Sequence, residues 1–151
     1  MKELKILNKR QIKSILNIIK NQWDADLEIK HAFLMSPKKK IYIVNKDISK
    51  LDLSKLNINN IGLYFGELIK NNELRLSIDG SQIVGKKAMK NVVDVNEKQA
   101  KQWFRGEFVE TKEQGNGFVI LKQKEDFLGC GRLVDGKVIN YVAKARRIEL
   151  M

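Results

Sequence analysis

Few side chains in this sequence could carry covalent chemistry, and they stand apart. Cys130 is the only cysteine and His31 the only histidine among 151 residues. A zinc cage, a Cys-His dyad and a Ser-His-Asp triad each need partners the chain does not own. Catalysis would have to rest on Asp, Glu, Lys or Tyr. The densest acidic group, Asp24, Asp26 and Glu28, matches no metal-loop spacing and reads as a solvated turn. Cys130 lies between Gly129 and Gly131, as a small buried residue would on a curving strand. No metal and no cofactor is expected. The chemistry left is that of cations. In "GRLVDGKVINYVAKARRI", residues 131–148, an apolar run leads directly into Lys144, Arg146 and Arg147, while Arg132 and Lys137 flank an Asp-Gly pair. Lys offers phosphate oxygens a point charge, and Arg offers a planar fork that also stacks on an unpaired base.

Further cations extend the candidate surface. Lys86, Lys87 and Lys90 form a basic connection, and Arg105 precedes Gly106, where a missing side chain would admit a phosphate or base close to the backbone. Each has a plainer reading. The C-terminal cluster could serve solubility, paired with Glu149 or Asp135; the lysines could be a solvated loop; Gly106 could simply end a helix. Tyr64, Phe65, Phe118 and Tyr141 would stack bases if exposed, although alternation turns most of them inward. Trp103 and Phe104 read as core, and His31 as structural or exposed.

The balance of charge points the same way. Lys and Arg number 29 against 18 Asp and Glu, a formal charge of +11 and a pI near 9.7. Balanced Lys and Glu enrichment, as in heat-adapted proteins, does not produce this excess. A field of that sign concentrates polyanions, and nucleic acid is the expected partner. Hydrophobic residues make up 43%, enough for a core. Apolar stretches are interrupted long before the roughly 20 residues of a membrane span, and no secretory h-region is visible. The expectation is a cytoplasmic protein without membrane contact.

These residues need elements to hold them. Ile12, Ile15, Leu16, Ile19 and Trp23 recur at helical spacing behind the N-cap Asn8. Two strands joined at Ser36-Pro37-Lys38 follow, then a short helix or turn within 46–57, then a hairpin around Asn71-Asn72. After Ser77 come a short helix, a strand through Val92 to Val95, and a helix capped by Asn96. In that helix Ala100, Trp103 and Phe104 are apolar, and Gly106 closes it. Two more strands lead to Asp135-Gly136, a type I′ hairpin signal. The expected fold class is α+β. An N-terminal α/β module, residues 1–75, packs without a linker on a C-terminal mixed β-barrel with short helices, residues 76–151.

Residues 74–148 resemble the PUA-type RNA-binding domain, in particular the tail of Sun-family RNA cytosine methyltransferases. The resemblance rests on Leu128-Gly129-Cys130-Gly131 followed by Gly136, Asn140, Lys144 and Arg147. The preceding "IGLYFGELIKNNELRLSI" is similar to the junction in the small ribosome-biogenesis PUA proteins of the nuclear import protein seven family. The methyltransferases' Gly-rich S-adenosylmethionine loop and paired cysteines are missing, and Ala143 stands where the family often has proline. The resemblance therefore implies the RNA-binding part without the catalyst. It suggests a protein acting on ribosomal or transfer RNA in processing, modification or ribosome biogenesis. Two other readings stand beside it. One is an adaptor that docks an RNA-processing or RNA-modifying enzyme or a pre-ribosomal particle, marked by an exposed apolar patch on residues 60–70. The other is an RNA-modifying enzyme using acidic residues.

Overall fold

The structure, a computed structural model, describes residues 4–28, 31–44, 62–70 and 72–141. The expected short helix or turn within 46–57, Asn71, and the basic segment with Ala143, Lys144, Arg146 and Arg147 lie outside the described residues.

Helix α1 (Lys9–Trp23) starts where Asn8 was expected to cap it. The Asn8 side chain accepts from the Gln11 N–H at 2.8 Å, and Gln11 answers by accepting from the Asn8 N–H at 3.0 Å. This reciprocal box satisfies two of the donors a helix start leaves open. Asp24, with φ +50°, ends the helix in the left-handed region. Ile15, Ile19 and Trp23, one turn apart, are buried. They face a sheet of β1 (Lys5–Ile6), β2 (Ala32–Met35), β3 (Lys40–Val44), β4 (Leu63–Ile69) and β5 (Glu73–Leu76). These strands run in chain order, each antiparallel to the next. Among the described residues the N-terminal part is thus a five-stranded meander against which α1 packs. Its outer strand β5 would expose a free edge, but Gln22 of α1 covers it. The Gln22 amide donates to the Leu74 carbonyl at 3.0 Å and accepts from the Leu74 N–H at 2.7 Å.

Helix α2 (Ile78–Gly85), capped by Ser77, leads into the second sheet. That sheet comprises β6 (Val92–Asp94), β7 (Val109–Glu110), β8 (Gly117–Gln123), β9 (Asp126–Val134) and β10 (Lys137–Asn140), in the order β6-β8-β9-β10-β7. β6 runs parallel to β8 and the other pairs are antiparallel, forming a curled half-barrel. Both faces of β8 are covered. Phe118 and Ile120 join the core shared with α1 and the first sheet, while Val119 and Leu121 join a second core with Trp103. This is why the strand reads as an unbroken apolar run instead of an alternating one. The first core takes in Phe65, Leu74, Leu76, Val84, Phe118, Ile120 and Cys130, so hydrophobic packing runs without interruption across the expected boundary near residue 76.

The second core explains the glycines of Leu128-Gly129-Cys130-Gly131. Helix α3 (Glu97–Phe104), with its own Asn96–Gln99 capping box, lays the buried Trp103 across β9. A Cβ at Gly129 would come 3.1 Å from the indole nitrogen. One at Gly131 would come 2.8 Å from the ring and 2.4 Å from the Ile139 carbonyl. The two glycines leave a flat strip of backbone on which the indole rests. Asp135 and Gly136, at φ +50° and +74°, form the expected turn between β9 and β10.

Candidate nucleic-acid interface

Where the two sheets meet, β5 lies close to β9 and the start of the C-terminal segment. Across β3, β4 and β5 the register aligns Lys40 with Glu67 and Glu67 with Arg75, a row of cation, carboxylate and cation. Arg75 bonds Glu67 at 3.6 Å and sets its guanidinium over the Tyr141 ring at 4.4 Å. Two residues before Arg75, Glu73 grips Arg132 of β9 through two contacts, 3.2 and 3.4 Å. Arg132 in turn covers Phe118 at 4.4 Å, and Phe118 meets Tyr141 edge-on at 6.2 Å. The result is a ladder, Arg132, Phe118, Tyr141 and Arg75, that ties the sheets together. Planar guanidinium on an aromatic face is favourable, and here each arginine is also held by a carboxylate. The Glu73 carboxylate, with Tyr141 behind it, strengthens the hold of Arg132 on its proton.

Beside the ladder lies a groove of about 260 Å³, lined by Lys40, Tyr64, Glu67, Arg75, Cys130 and Tyr141 together with Leu76, Ser77, Ile78 and Gly129. The Lys40 ammonium is 6.0 Å from the centre of the Tyr64 ring. Burial, with Glu67 nearby, pushes the Tyr64 phenol up to about 12, so it stays a neutral hydroxyl. Burial likewise pushes the Cys130 thiol up to about 12. Since the thiolate is the reactive form, this cysteine is packing, as its glycine neighbours suggested.

The expected site residues fall on several separate elements. Arg132 does not stand free beside the Asp135-Gly136 turn; it is committed to Glu73 and Phe118 at the junction. Lys137, at the start of β10, sets its ammonium 4.8 Å over the half-exposed ring of Phe108. Arg105 follows α3 and bonds Glu107 at 2.7 Å. Gly106, at φ +91°, does end the helix, and Asn140 braces that corner by donating to the Trp103 and Glu107 carbonyls. Lys86, Lys87 and Lys90 are exposed on the turn after α2, which is pinned to the end of α1: the Met89 and Lys90 N–H groups both donate to the Trp23 carbonyl. Asp24 and Asp26 pair with Lys20 at 2.9 and 3.1 Å, a solvated turn. Lys40 closes the Lys38-Lys39-Lys40 run, legible in the sequence as a basic loop able to brush a phosphate backbone, whereas Glu67, Glu73 and Arg75 carried no signal beyond ordinary strand positions. Only the register across three strands brings them together. Tyr141, a stacking candidate from the sequence, is 41% exposed, open enough to stack a base.

Among the described residues no group of three His, Cys, Asp or Glu is placed to hold a metal, and no helix is long and apolar enough to cross a membrane. A curled mixed sheet closed by short helices, with basic groups at its margins, is compatible with a PUA-type domain. Residues 90–148 match the family described as the Methyltransferase RsmF PUA domain, the non-catalytic RNA-binding part of a methyltransferase, similar to the Sun-family tail. No curated protein matches the chain.

Proposed function

We propose that this protein is a non-enzymatic RNA-binding protein of the cytoplasm, acting on ribosomal or transfer RNA in its processing or modification or in ribosome biogenesis. The observation that carries the reading is the PUA match over residues 90–148. The net charge of +11 and the cation-aromatic ladder at the junction support it. In this reading Lys86, Lys87, Lys90, Arg105, Lys137, Lys144, Arg146 and Arg147 supply the sequence-independent attraction to phosphate, and Arg132 holds the frame on which Tyr141 is presented. The adaptor reading is weaker, because within residues 62–70 no large apolar side chain is exposed and Phe65 is fully buried.

Fluorescence anisotropy on single-stranded, hairpin and duplex RNAs and matched DNA, between about 50 and 200 mM salt, tests the reading. Micromolar or tighter binding that favours RNA over DNA and persists at the higher salt is expected. Weak binding, equal for RNA and DNA and lost at the higher salt, would leave only generic charge and overturn it.

A further inference from the structure

We propose that the junction groove takes one unpaired guanine base of the bound RNA; this deepens the RNA-binding reading and rests on it. At about 260 Å³ the groove is smaller than the roughly 300–1,000 Å³ of pockets that engulf a drug-sized ligand. A single base suits it better than a folded nucleotide chain. Its lining offers the two things a base needs, a flat platform and edge contacts. The platform is the Arg75–Tyr141 pair, since both a guanidinium plane and a tyrosine ring stack on bases.

The edge contacts decide which base. A carboxylate in the groove repels phosphate, so Glu67 argues for a base edge there. Glu67 accepts hydrogen bonds only, and its bond to Arg75 is a loose 3.6 Å, leaving acceptor capacity unspent. Guanine presents two adjacent N–H donors, from N1 and the N2 amine, followed by the O6 acceptor. That order is complementary to Glu67 followed by Lys40, its partner in the strand register. Adenine and cytosine each offer one exocyclic amine next to a ring nitrogen that is itself an acceptor, which a carboxylate repels. Uracil offers one N–H between two carbonyls. Guanine alone fills both partners. The site draws Lys40, Tyr64, Glu67 and Arg75 from one sheet and Tyr141 from beyond the other, so it exists only when both halves of the chain are folded together.

The experiment uses the full chain and short uridine-rich RNA single strands with one central guanine, inosine, adenine or cytosine. The guanine strand should bind about tenfold or more tighter than the adenine and cytosine strands, the size of one good bidentate base contact. Inosine, which lacks the N2 amine, should fall between. Glu67→Gln and Tyr141→Ala should each erase the preference while leaving the salt slope unchanged. Tyr141 is exposed enough that its loss leaves the core intact, and thermal melts verify folding of both variants. Lys86→Ala, Lys87→Ala and Lys90→Ala combined should weaken all four strands alike and keep the preference. Equal affinity for the four strands, or a guanine preference that survives both Glu67→Gln and Tyr141→Ala in folded protein, would overturn the guanine site while sparing RNA binding. Failure to bind any strand would overturn both.

Discussion

The junction and the lysine turn are both basic, and they are built in opposite ways. At the junction Arg75 and Arg132 each have a carboxylate and an aromatic ring against them. On the turn, Lys86, Lys87 and Lys90 extend into solvent, and Met89 between them is 78% exposed. The backbone beneath them is anchored to the Trp23 carbonyl, but the ammonium groups are not. A cation held at fixed geometry can orient a ligand, whereas a mobile one supplies attraction without direction. The molecule keeps the two tasks on different elements. A change at the turn should alter how tightly RNA is held, and a change at the junction should alter what is held and how firmly the sheets are joined.

Substitution at the frame behind the junction sets the largest expected difference. Gly131→Ala drives a methyl group into the Ile139 carbonyl and the Trp103 ring, at 2.4 and 2.8 Å. Neither backbone nor a buried indole yields easily, so denaturant unfolding should show a loss of about 1–3 kcal/mol or more. Alkaline stability comes next. Cys130 and Tyr64 both release their protons later in the folded protein, at about 12, than the ordinary 9.0 and 10.0. Above pH 9 the folded state therefore binds more protons than the unfolded chain. Stability from these groups is full below pH 9 and falls as pH rises toward 12. Urea midpoints measured against pH should decline from about pH 9, and in Cys130→Ala the decline should begin nearer 10, where Tyr64 takes over.

A smaller effect tests the clamp directly. A double-mutant cycle with Arg132→Met and Glu73→Gln should give a coupling of about 0.5–1 kcal/mol, modest because both side chains keep some contact with water. Zero coupling would mean that the Arg132–Glu73 pair adds nothing to the junction beyond its packing and the Arg75–Tyr141 contact. The least effect on stability is expected from replacing Lys86, Lys87 and Lys90 together by Ala, within about 0.5 kcal/mol. If each touches a phosphate, the slope of log affinity against log salt should nevertheless fall by about 2 for single-stranded RNA. A triple variant that loses stability but keeps its slope would reverse the contrast between turn and junction.

What the sequence determined by itself is local. The two Asn caps with their Gln partners, the Asp135-Gly136 turn, the 3.6-residue stripe of α1 and the solvated Asp24-Asp26 turn all depend on neighbours within a few positions, and they were legible for that reason. The glycines flanking Cys130 were legible, and through them the PUA resemblance that the family match bears out over residues 90–148, but their role under the Trp103 indole was not. Tertiary structure alone decided the rest. Nothing near Arg132 in the chain announces Glu73, 59 positions away, nor does β3 announce that Lys40 will stand beside Glu67. Strand register is a global outcome of which faces are buried and where a bulge falls, here between Ile41 and Tyr42, which lets Phe65 turn into the core. The same physics gives Arg132, expected among the RNA-binding cations, a second part as a clamp on Glu73. A charge written in sequence has no partner until strands from two sheets meet, and only then does it become either a contact surface or a part of the frame.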